Sequence, residues 1–157
     1  MNERKSAGLL MYSVNKGEIK FFLVHPGGPF FANKDEGYWG IPKGIPEENE
    51  QLLDTAKREF KEETGLNFDD NFIPLGTVKQ KNNKTVHAWA FKTDMDNPVE
   101  ITCNTCQVEW PPNSGSRITI PEVDKGKFFD EEEARKKINS AQIEFIERLL
   151  VILKNNK

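Results

Sequence analysis

Cysteine and histidine are scarce in this chain, which has two of each among its 157 residues. Cys103 and Cys106 form one CxxC pair, a spacing typical of redox motifs and of half a zinc site. The sequence has no second cysteine pair, and His25 and His87 lie far from this one. The neighbouring residues are typical of extended chain and loop. We therefore expect two ordinary reduced thiols.

An excess of basic charge and long apolar runs are also missing. The net charge is −3 and the isoelectric point is about 5.5, which argues against a partner of duplex nucleic acid. The one basic cluster, formed by Lys79, Lys81 and Lys84, is too small for a nucleic-acid processing factor. No apolar run reaches the length of a membrane span, and the first residues lack the apolar segment of a signal peptide. We expect a cytoplasmic protein without a membrane partner.

Two pairs of apolar segments predict antiparallel hairpins. Segments 6–14 and 19–25 flank a polar Asn-Lys-Gly turn, and segments 72–80 and 85–93 flank the turn at 81–84. Within the last segment, aromatic side chains alternate with small ones, so one face is aromatic and the other small: His87, Trp89 and Phe91 against Val86, Ala88 and Ala90. We therefore expect the two faces of this strand to pack differently.

Helices are predicted between and after these hairpins. Asp130 resembles the N-cap of a short helix, and the segment 141–153 has an apolar stripe of helical period at Ile143, Ile146, Leu149, Leu150 and Leu153. Together the elements favour an α/β fold with helices on both sides of a mixed sheet, in one domain spanning 1–157. The stretch 94–118 is predicted to be irregular, and we expect substrate specificity to lie there.

The segment 44–66 carries an unusual concentration of acidic side chains. Glu59, Glu62 and Glu63 are spaced i, i+3 and i+4, which places three carboxylates on one face of a helix. Like charges at that spacing repel unless a cation lies between them. Oxygen ligands without histidine or cysteine suit Mg²⁺ or Mn²⁺. In the alternative interpretation, Lys57, Arg58 and Lys61 simply neutralise the glutamates on a solvated helix face.

The same helix has a narrow apolar stripe. Leu53, Ala56 and Phe60 are predicted to face the core, with Glu63 the nearest of the glutamates to them. Gly65 follows the last periodic residue and is expected to end the helix in the left-handed conformation.

The fixed positions of this segment resemble the Nudix box in full: Gly44, Glu50, Arg58, Glu59, Phe60, Glu62, Glu63, Gly65 and Leu66. Phe60 stands where that family more often has an aliphatic residue. The resemblance implies a Nudix-type α/β/α sandwich around a mixed sheet. It also implies a hydrolase that cleaves the diphosphate linkage of a nucleoside diphosphate joined to another group, with Mg²⁺ as cofactor.

The resemblance implies roles for individual residues. Glu59, Glu62 and Glu63 would bind the metal, and Arg58 would pair with Glu50 and orient them. Nudix proteins differ in which group accepts the proton, and Glu122, in a later Pro-Glu-Val-Asp segment, is our candidate for an extra catalytic carboxylate. In the alternative interpretation, Glu122 is an exposed acidic residue of a loop without a catalytic role.

Substrate contacts are expected just before the box and on one strand. Lys43 is a candidate for contacting a phosphate, with a solvated loop lysine as the alternative. Tyr38, Trp39 and Trp89 are candidates for stacking on a base, with a place in the core as the alternative for each.

Features outside the box are similar to the Nudix branch of bis(5′-nucleosyl) tetraphosphate hydrolases, namely the segments 6–12, 39–44, 121–124 and 128–134. This resemblance implies a small-molecule nucleotide substrate, with diadenosine tetraphosphate as the expected one. Nucleotide sugars, nucleoside triphosphates and RNA 5′ ends are the alternative substrates. A Nudix-fold module that binds nucleotides without turnover is the alternative from another functional class.

Overall fold

A mixed β-sheet between helices organises the computed structural model, which describes residues 4–68 and 71–155. The strands and helices are, in chain order, β1 Arg4–Asn15, β2 Glu18–Pro26, β3 Lys43–Gly44, α1 Leu52–Thr64, β4 Ile73–Gln80, β5 Lys84–Lys92, β6 Thr105–Glu109, β7 Arg117–Pro121, β8 Val123–Asp130, α2 Glu131–Lys137 and α3 Ile143–Asn155. A single 3-10 turn, Ser140–Gln142, precedes α3. No helix within the described residues is both long and apolar enough to cross a membrane.

The main sheet has the order β4-β5-β1-β2-β8, with the short β3 also paired to β1. Both predicted hairpins are confirmed, since β1 pairs with β2 and β4 with β5 in antiparallel fashion. The sheet is mixed because β1 and β5 run parallel, with Leu9 opposite Trp89. The strand β3 brings Lys43 and Gly44 alongside Gly8 and Ala7, and thereby places the start of the box at the sheet.

Each face of the sheet has its own core, as the alternation of side chains along the strands requires. Leu9 and Met11 of β1 pack on the α1 side, whereas Leu10 and Tyr12 pack on the α3 side. The alternation predicted for β5 is confirmed: Phe91 and the half-buried Trp89 belong to the α1 side, and Val86, Ala88 and Ala90 to the α3 side. The α/β/α sandwich is therefore confirmed.

Helix ends follow the predicted chemistry. Gly65 ends α1 with φ of 77°, and its amide donates to the carbonyl of Lys61. The Asp130 carboxylate accepts a hydrogen bond of 2.9 Å from the amide of Glu133 at the start of α2.

The strands β6, β7 and β8 depart from the sequence-based prediction. The stretch predicted to be irregular contains the hairpin of β6 and β7, in which half-buried Cys106 and Val108 alternate with exposed residues. That prediction was wrong because strands of five residues with one half-buried face give only a weak period of two. The edge strand β8 was also missed, because exposed lysines interrupt its apolar residues.

Candidate active site

Gly44 allows α1 to approach β3 closely. A Cβ atom at this position would lie 2.0 Å from Cδ of Glu59, so any larger residue would displace that carboxylate. The side chain of Glu59 is 14% exposed, and burial raises its pKa in spite of the neighbouring Arg58. The glycine at the start of the box thus sets the position of the first of the three glutamates.

Glu63 is the most buried of the three glutamates, with 9% of its surface exposed. This agrees with its predicted place next to the apolar stripe. Burial is the main cause that raises its pKa to about 8, and the negative charges of Glu59 and Glu122 act in the same direction. The backbone amide of Lys43 donates to the Glu63 carboxylate and opposes the rise. The raised pKa favours the protonated form of Glu63 in the metal-free protein.

Lys43 lies beside this carboxyl group. Burial lowers the pKa of its ammonium group, and the negative charges of Glu63 and Glu59 oppose that change. Burial thus raises the pKa of Glu63 and lowers the pKa of Lys43. Both shifts favour the neutral form of the group, because each charged form loses its contact with water. A cation bound here would favour the ionised form of Glu63, whereas an anionic ligand would favour the charged form of Lys43.

Arg58 connects the loop before α1 with two of the glutamates. Its Nε and Nη2 donate to the two carboxylate oxygens of Glu50, each at 2.9 Å, and Thr55 Oγ1 donates to Glu50 at 2.7 Å. Its Nη1 donates to Glu59 at 2.8 Å and to Glu62 at 3.1 Å. The hydrogen bonds from Arg58 lower the pKa of the Glu50 carboxyl group to about 2, so Glu50 stays charged. The pairing implied by the family resemblance is present.

The donor set has the chemistry of a site for a hard divalent cation. Oε2 of Glu63 is buried and has no hydrogen-bond partner among residues 4–68 and 71–155, an arrangement that is costly unless a ligand completes it. Within the same residues, however, no three acidic, histidine or cysteine side chains converge on one point. Instead, Nη1 of Arg58 contacts both Glu59 and Glu62. Binding of an ion by all three glutamates would require the Arg58 contacts to shift.

A cavity of about 470 Å³ opens beside Glu63 and is lined also by Lys43, Glu122, Tyr38 and Trp39. Five residues that were predicted separately from the sequence therefore share one cavity. Tyr38 is 44% exposed, which leaves its ring accessible to a ligand.

Trp39 lines the cavity but belongs mainly to the core. It is 4% exposed, its ring packs edge to face on Phe129, and its Nε1 donates to Asp35 at 2.8 Å. Trp89 is half-buried and packs on the α1 side of the sheet. It is not among the described residues that line the cavity. For both tryptophans the geometry favours the core role over stacking on a base.

Glu122 lies between β7 and β8, where the backbone is fixed at two points. Its amide donates to the carbonyl of Asn104, and its carbonyl accepts from the amide of Gly27. The side chain is exposed and lines the cavity, close enough for its charge to raise the pKa of Glu63.

Cys103 and Cys106 are both free thiols, and Cys103 Sγ donates to the carbonyl of Val123.

Sequence reasoning missed several residues of the cavity wall. Gln142 is 3% exposed, and its Oε1 accepts a hydrogen bond of 3.0 Å from the amide of Ile41. Asn139 and Phe31 also line the cavity. Gln142 lies 101 residues from Ile41 in sequence, and no local pattern points to such a contact.

Three solved structures have a similar fold. One is an Ap4A hydrolase from C. elegans in a binary complex, with 21% identity, a TM-score of 0.67 and coverage of 97% of this chain and 98% of that chain. Another is the NUDIX domain of NrtR from Shewanella oneidensis complexed with ADP ribose, with 16% identity, a TM-score of 0.64 and coverage of 98% and 90%. The third is a mutT/nudix family protein from Listeria innocua, with 15% identity, a TM-score of 0.65 and coverage of 99% and 97%.

No curated protein sequence matches the chain. Protein-family comparison, in contrast, matches residues 3–149 to the NUDIX domain, which covers nearly the whole chain. The box, the Arg58–Glu50 pair and the sandwich around a mixed sheet agree with that match. The chain belongs to the Nudix family and is a hydrolase of phosphoric anhydride bonds.

Proposed function

We propose that this protein is a Mg²⁺-dependent, cytoplasmic pyrophosphohydrolase whose substrates are dinucleoside polyphosphates such as diadenosine tetraphosphate. The observation that carries the proposal is the cavity shared by Lys43, Glu63, Glu122 and Tyr38. It combines a cation, two carboxyl groups and an exposed aromatic ring within about 470 Å³. These are the groups that a polyphosphate with a base at its end requires.

Glu59, Glu62 and Glu63 would hold Mg²⁺ or Mn²⁺ through oxygen ligands. The bound ion would neutralise the phosphate oxygens and lower the pKa of a water molecule. Arg58 contacts Glu59 and Glu62 through Nη1 while Glu50 fixes the other side of the guanidinium. The Nη1 contacts would shift when an ion binds, and the contact with Glu50 would keep the guanidinium beside the ligands.

The remaining steps rest on residues of the cavity wall. Glu122 is an exposed carboxylate in the wall and would accept the proton of the attacking water. Lys43 would bind an oxygen of the phosphate chain as a point charge. Tyr38 would stack on the base next to the cleaved linkage. The anhydride bond breaks as water adds to one phosphorus, so diadenosine tetraphosphate would give ATP and AMP.

The choice of a dinucleotide is supported by the size of the cavity and by the fold shared with the C. elegans Ap4A hydrolase. A second candidate substrate is a nucleoside diphosphate sugar, because the NUDIX domain of NrtR has the same fold and was solved with ADP ribose. A module that binds nucleotides without turnover is the rival from another functional class. The intact glutamates argue for catalysis, since a binding module does not need them.

A substrate panel at fixed Mg²⁺ tests the proposal. Initial rates are measured on diadenosine tetraphosphate, ADP-ribose, an ADP-sugar, nucleoside triphosphates and RNA with a 5′-triphosphate. We expect the highest kcat/KM on the dinucleotide. A kcat/KM at least tenfold higher on an ADP-sugar would overturn the substrate assignment while leaving the hydrolase assignment intact. Tight binding of the whole panel without turnover would instead support the binding module.

A further inference from the structure

A second cavity adjoins the one that contains Glu63. It has a volume of about 230 Å³ and lies between the loop 27–31 and the hairpin of β6 and β7. Phe31 lines both cavities, so the two lie next to each other at this residue. A ligand that extends past Phe31 from the first cavity reaches the second.

The walls of this second cavity are aromatic and apolar. Phe30 is 57% exposed, and its ring meets that of Phe31 edge to face with 4.8 Å between the centroids. Trp110 and Pro112 come from the turn of the opposite hairpin. The carboxylate of Glu109, also in the wall, accepts hydrogen bonds from amides of that turn. A planar apolar ligand would therefore meet aromatic rings on both sides.

Close packing between the loop and the hairpin builds this cavity. A Cβ atom at Gly27 would lie 2.1 Å from the carbonyl oxygen of Pro121. Gly28, with φ of 91°, approaches Ile120 so closely that a Cβ there would lie 2.6 Å from its Cδ1. The aromatic loop is thus held directly against β7 and is not a loose flap over it.

A positive charge lies between the two cavities. The ammonium group of Lys34 is 5.4 Å from the ring centroid of Phe30 and 5.5 Å from that of Tyr38. Tyr38 belongs to the first cavity and Phe30 to the second. A phosphate chain that runs from one ring to the other would pass this cation.

We propose that the second cavity binds the distal nucleobase of a dinucleoside polyphosphate, stacked against Phe30 and Trp110, with Lys34 contacting the phosphates between the two bases. This inference rests on the proposed function. It assigns a role to the hairpin of β6 and β7 and to an exposed phenylalanine that the core does not need. A nucleobase fits the cavity because stacking needs only a flat apolar face.

The test compares two substrates that differ only in the second nucleoside: diadenosine tetraphosphate and adenosine 5′-tetraphosphate. Phe30→Ala and Trp110→Ala are compared with wild type, and Val151→Ala, 58% exposed on α3, is the matched control. Loss of one stacking contact is expected to lower the ratio of kcat/KM values, dinucleotide over mononucleotide, about tenfold. The control is expected to leave that ratio within twofold of wild type.

Melting temperatures of both variants verify that they are folded. Because Phe30 is exposed, Phe30→Ala is the variant that we expect to disturb the fold least. An unchanged ratio in Phe30→Ala, or equal losses on both substrates, would overturn the inference.

Direct binding in EDTA, measured by calorimetry, separates this inference from the proposed function. If wild type hydrolyses neither compound, the proposed function fails and the binding ratio decides the inference. Tighter binding of the dinucleotide that weakens about tenfold in Phe30→Ala supports the second cavity. Equal binding of the two compounds by wild type overturns it.

Discussion

Arg58 and Glu50 form a two-point contact in which Nε and Nη2 each donate to a different carboxylate oxygen at 2.9 Å. The remaining Nη1 is left to bind Glu59 and Glu62. One guanidinium group therefore joins the loop before α1 to two of the proposed metal ligands. Its planar fork makes this possible, and a lysine cannot reproduce the fork.

Arg58→Lys tests that contact. Lysine keeps the charge but loses the paired hydrogen bonds to Glu50, so the cation beside Glu59 and Glu62 loses its fixed position. We expect kcat/KM and metal affinity to fall about 10- to 100-fold. Arg135→Lys, which changes a half-buried arginine paired with Glu131 and Glu147 outside the site, is the control and should leave both values unchanged. Equal activity of Arg58→Lys and wild type would show that the fork is not needed.

The raised pKa of Glu63, about 8, predicts how the stability of the metal-free protein depends on pH. The unfolded carboxyl group releases its proton near the ordinary glutamate pKa of 4.5, whereas the pKa of the folded one is about 8. Between these values the folded state binds more protons, so rising pH lowers the free energy of unfolding. The contribution is at most about 1.4 kcal/mol per pH unit.

Urea unfolding in EDTA at several pH values measures this dependence. Glu63→Gln should flatten the slope between pH 4.5 and 8, and exposed Glu48→Gln should leave it as in wild type. Glu50 does not interfere, because its lowered pKa places its contribution at lower pH. A slope that is identical in wild type and Glu63→Gln would contradict the buried, protonated carboxyl group.

Mg²⁺ should stabilise the folded protein by mass action, since only the folded chain holds the three glutamates together. At 100 times its Kd the ion would add about 2.7 kcal/mol to the free energy of unfolding and raise the melting temperature by several degrees. Scanning fluorimetry with Mg²⁺, Mn²⁺, Zn²⁺ and EDTA measures the shift. Glu62→Gln should reduce it. A shift produced by Zn²⁺ alone would exclude an oxygen-ligand site.

The sequence was sufficient to predict the elements with strong local periodicity. The hairpin of β1 and β2 has long apolar runs around a polar turn, and α1 has a stripe at Ala56 and Phe60. The strands β6 and β8 lacked such a signal. The first is short and half-exposed, and the second has Lys125 and Lys127 on an edge strand, where lysine is favoured because it discourages pairing with other chains.

Only those residues of the candidate site that lie close together in the sequence were predictable. Spacing along α1 identifies Glu59, Glu62 and Glu63, and it also predicts which of them is nearest to the core. Spacing does not reveal Gln142, because its contact with Ile41 joins distant parts of the chain. It also does not separate an aromatic ring of the core from one that binds a ligand, since both require a large planar residue.

Phe60→Ala separates stability from catalysis. Phe60 is 2% exposed and packs against Phe22 and Phe91, with 6.2 and 5.4 Å between ring centroids. The cavity left by its removal should lower the free energy of unfolding by about 3–5 kcal/mol. Phe30→Ala removes the same atoms from an exposed position and should change that free energy by less than about 0.5 kcal/mol. Similar losses in the two variants would contradict the core assigned to the α1 side of the sheet.

Turnover of diadenosine tetraphosphate in ¹⁸O-labelled water tests whether the box glutamates support hydrolysis of a dinucleoside polyphosphate. Wild type with Mg²⁺ is predicted to give ATP and AMP, with one ¹⁸O atom in one of the two products. EDTA should abolish the reaction. Glu62→Gln and Glu63→Gln keep the shape of the side chain but remove a charge, and each should slow turnover by roughly 100-fold or more. Hydrolysis at the wild-type rate in both glutamine variants, or in EDTA, would show that the box glutamates do not support the reaction through a metal ion.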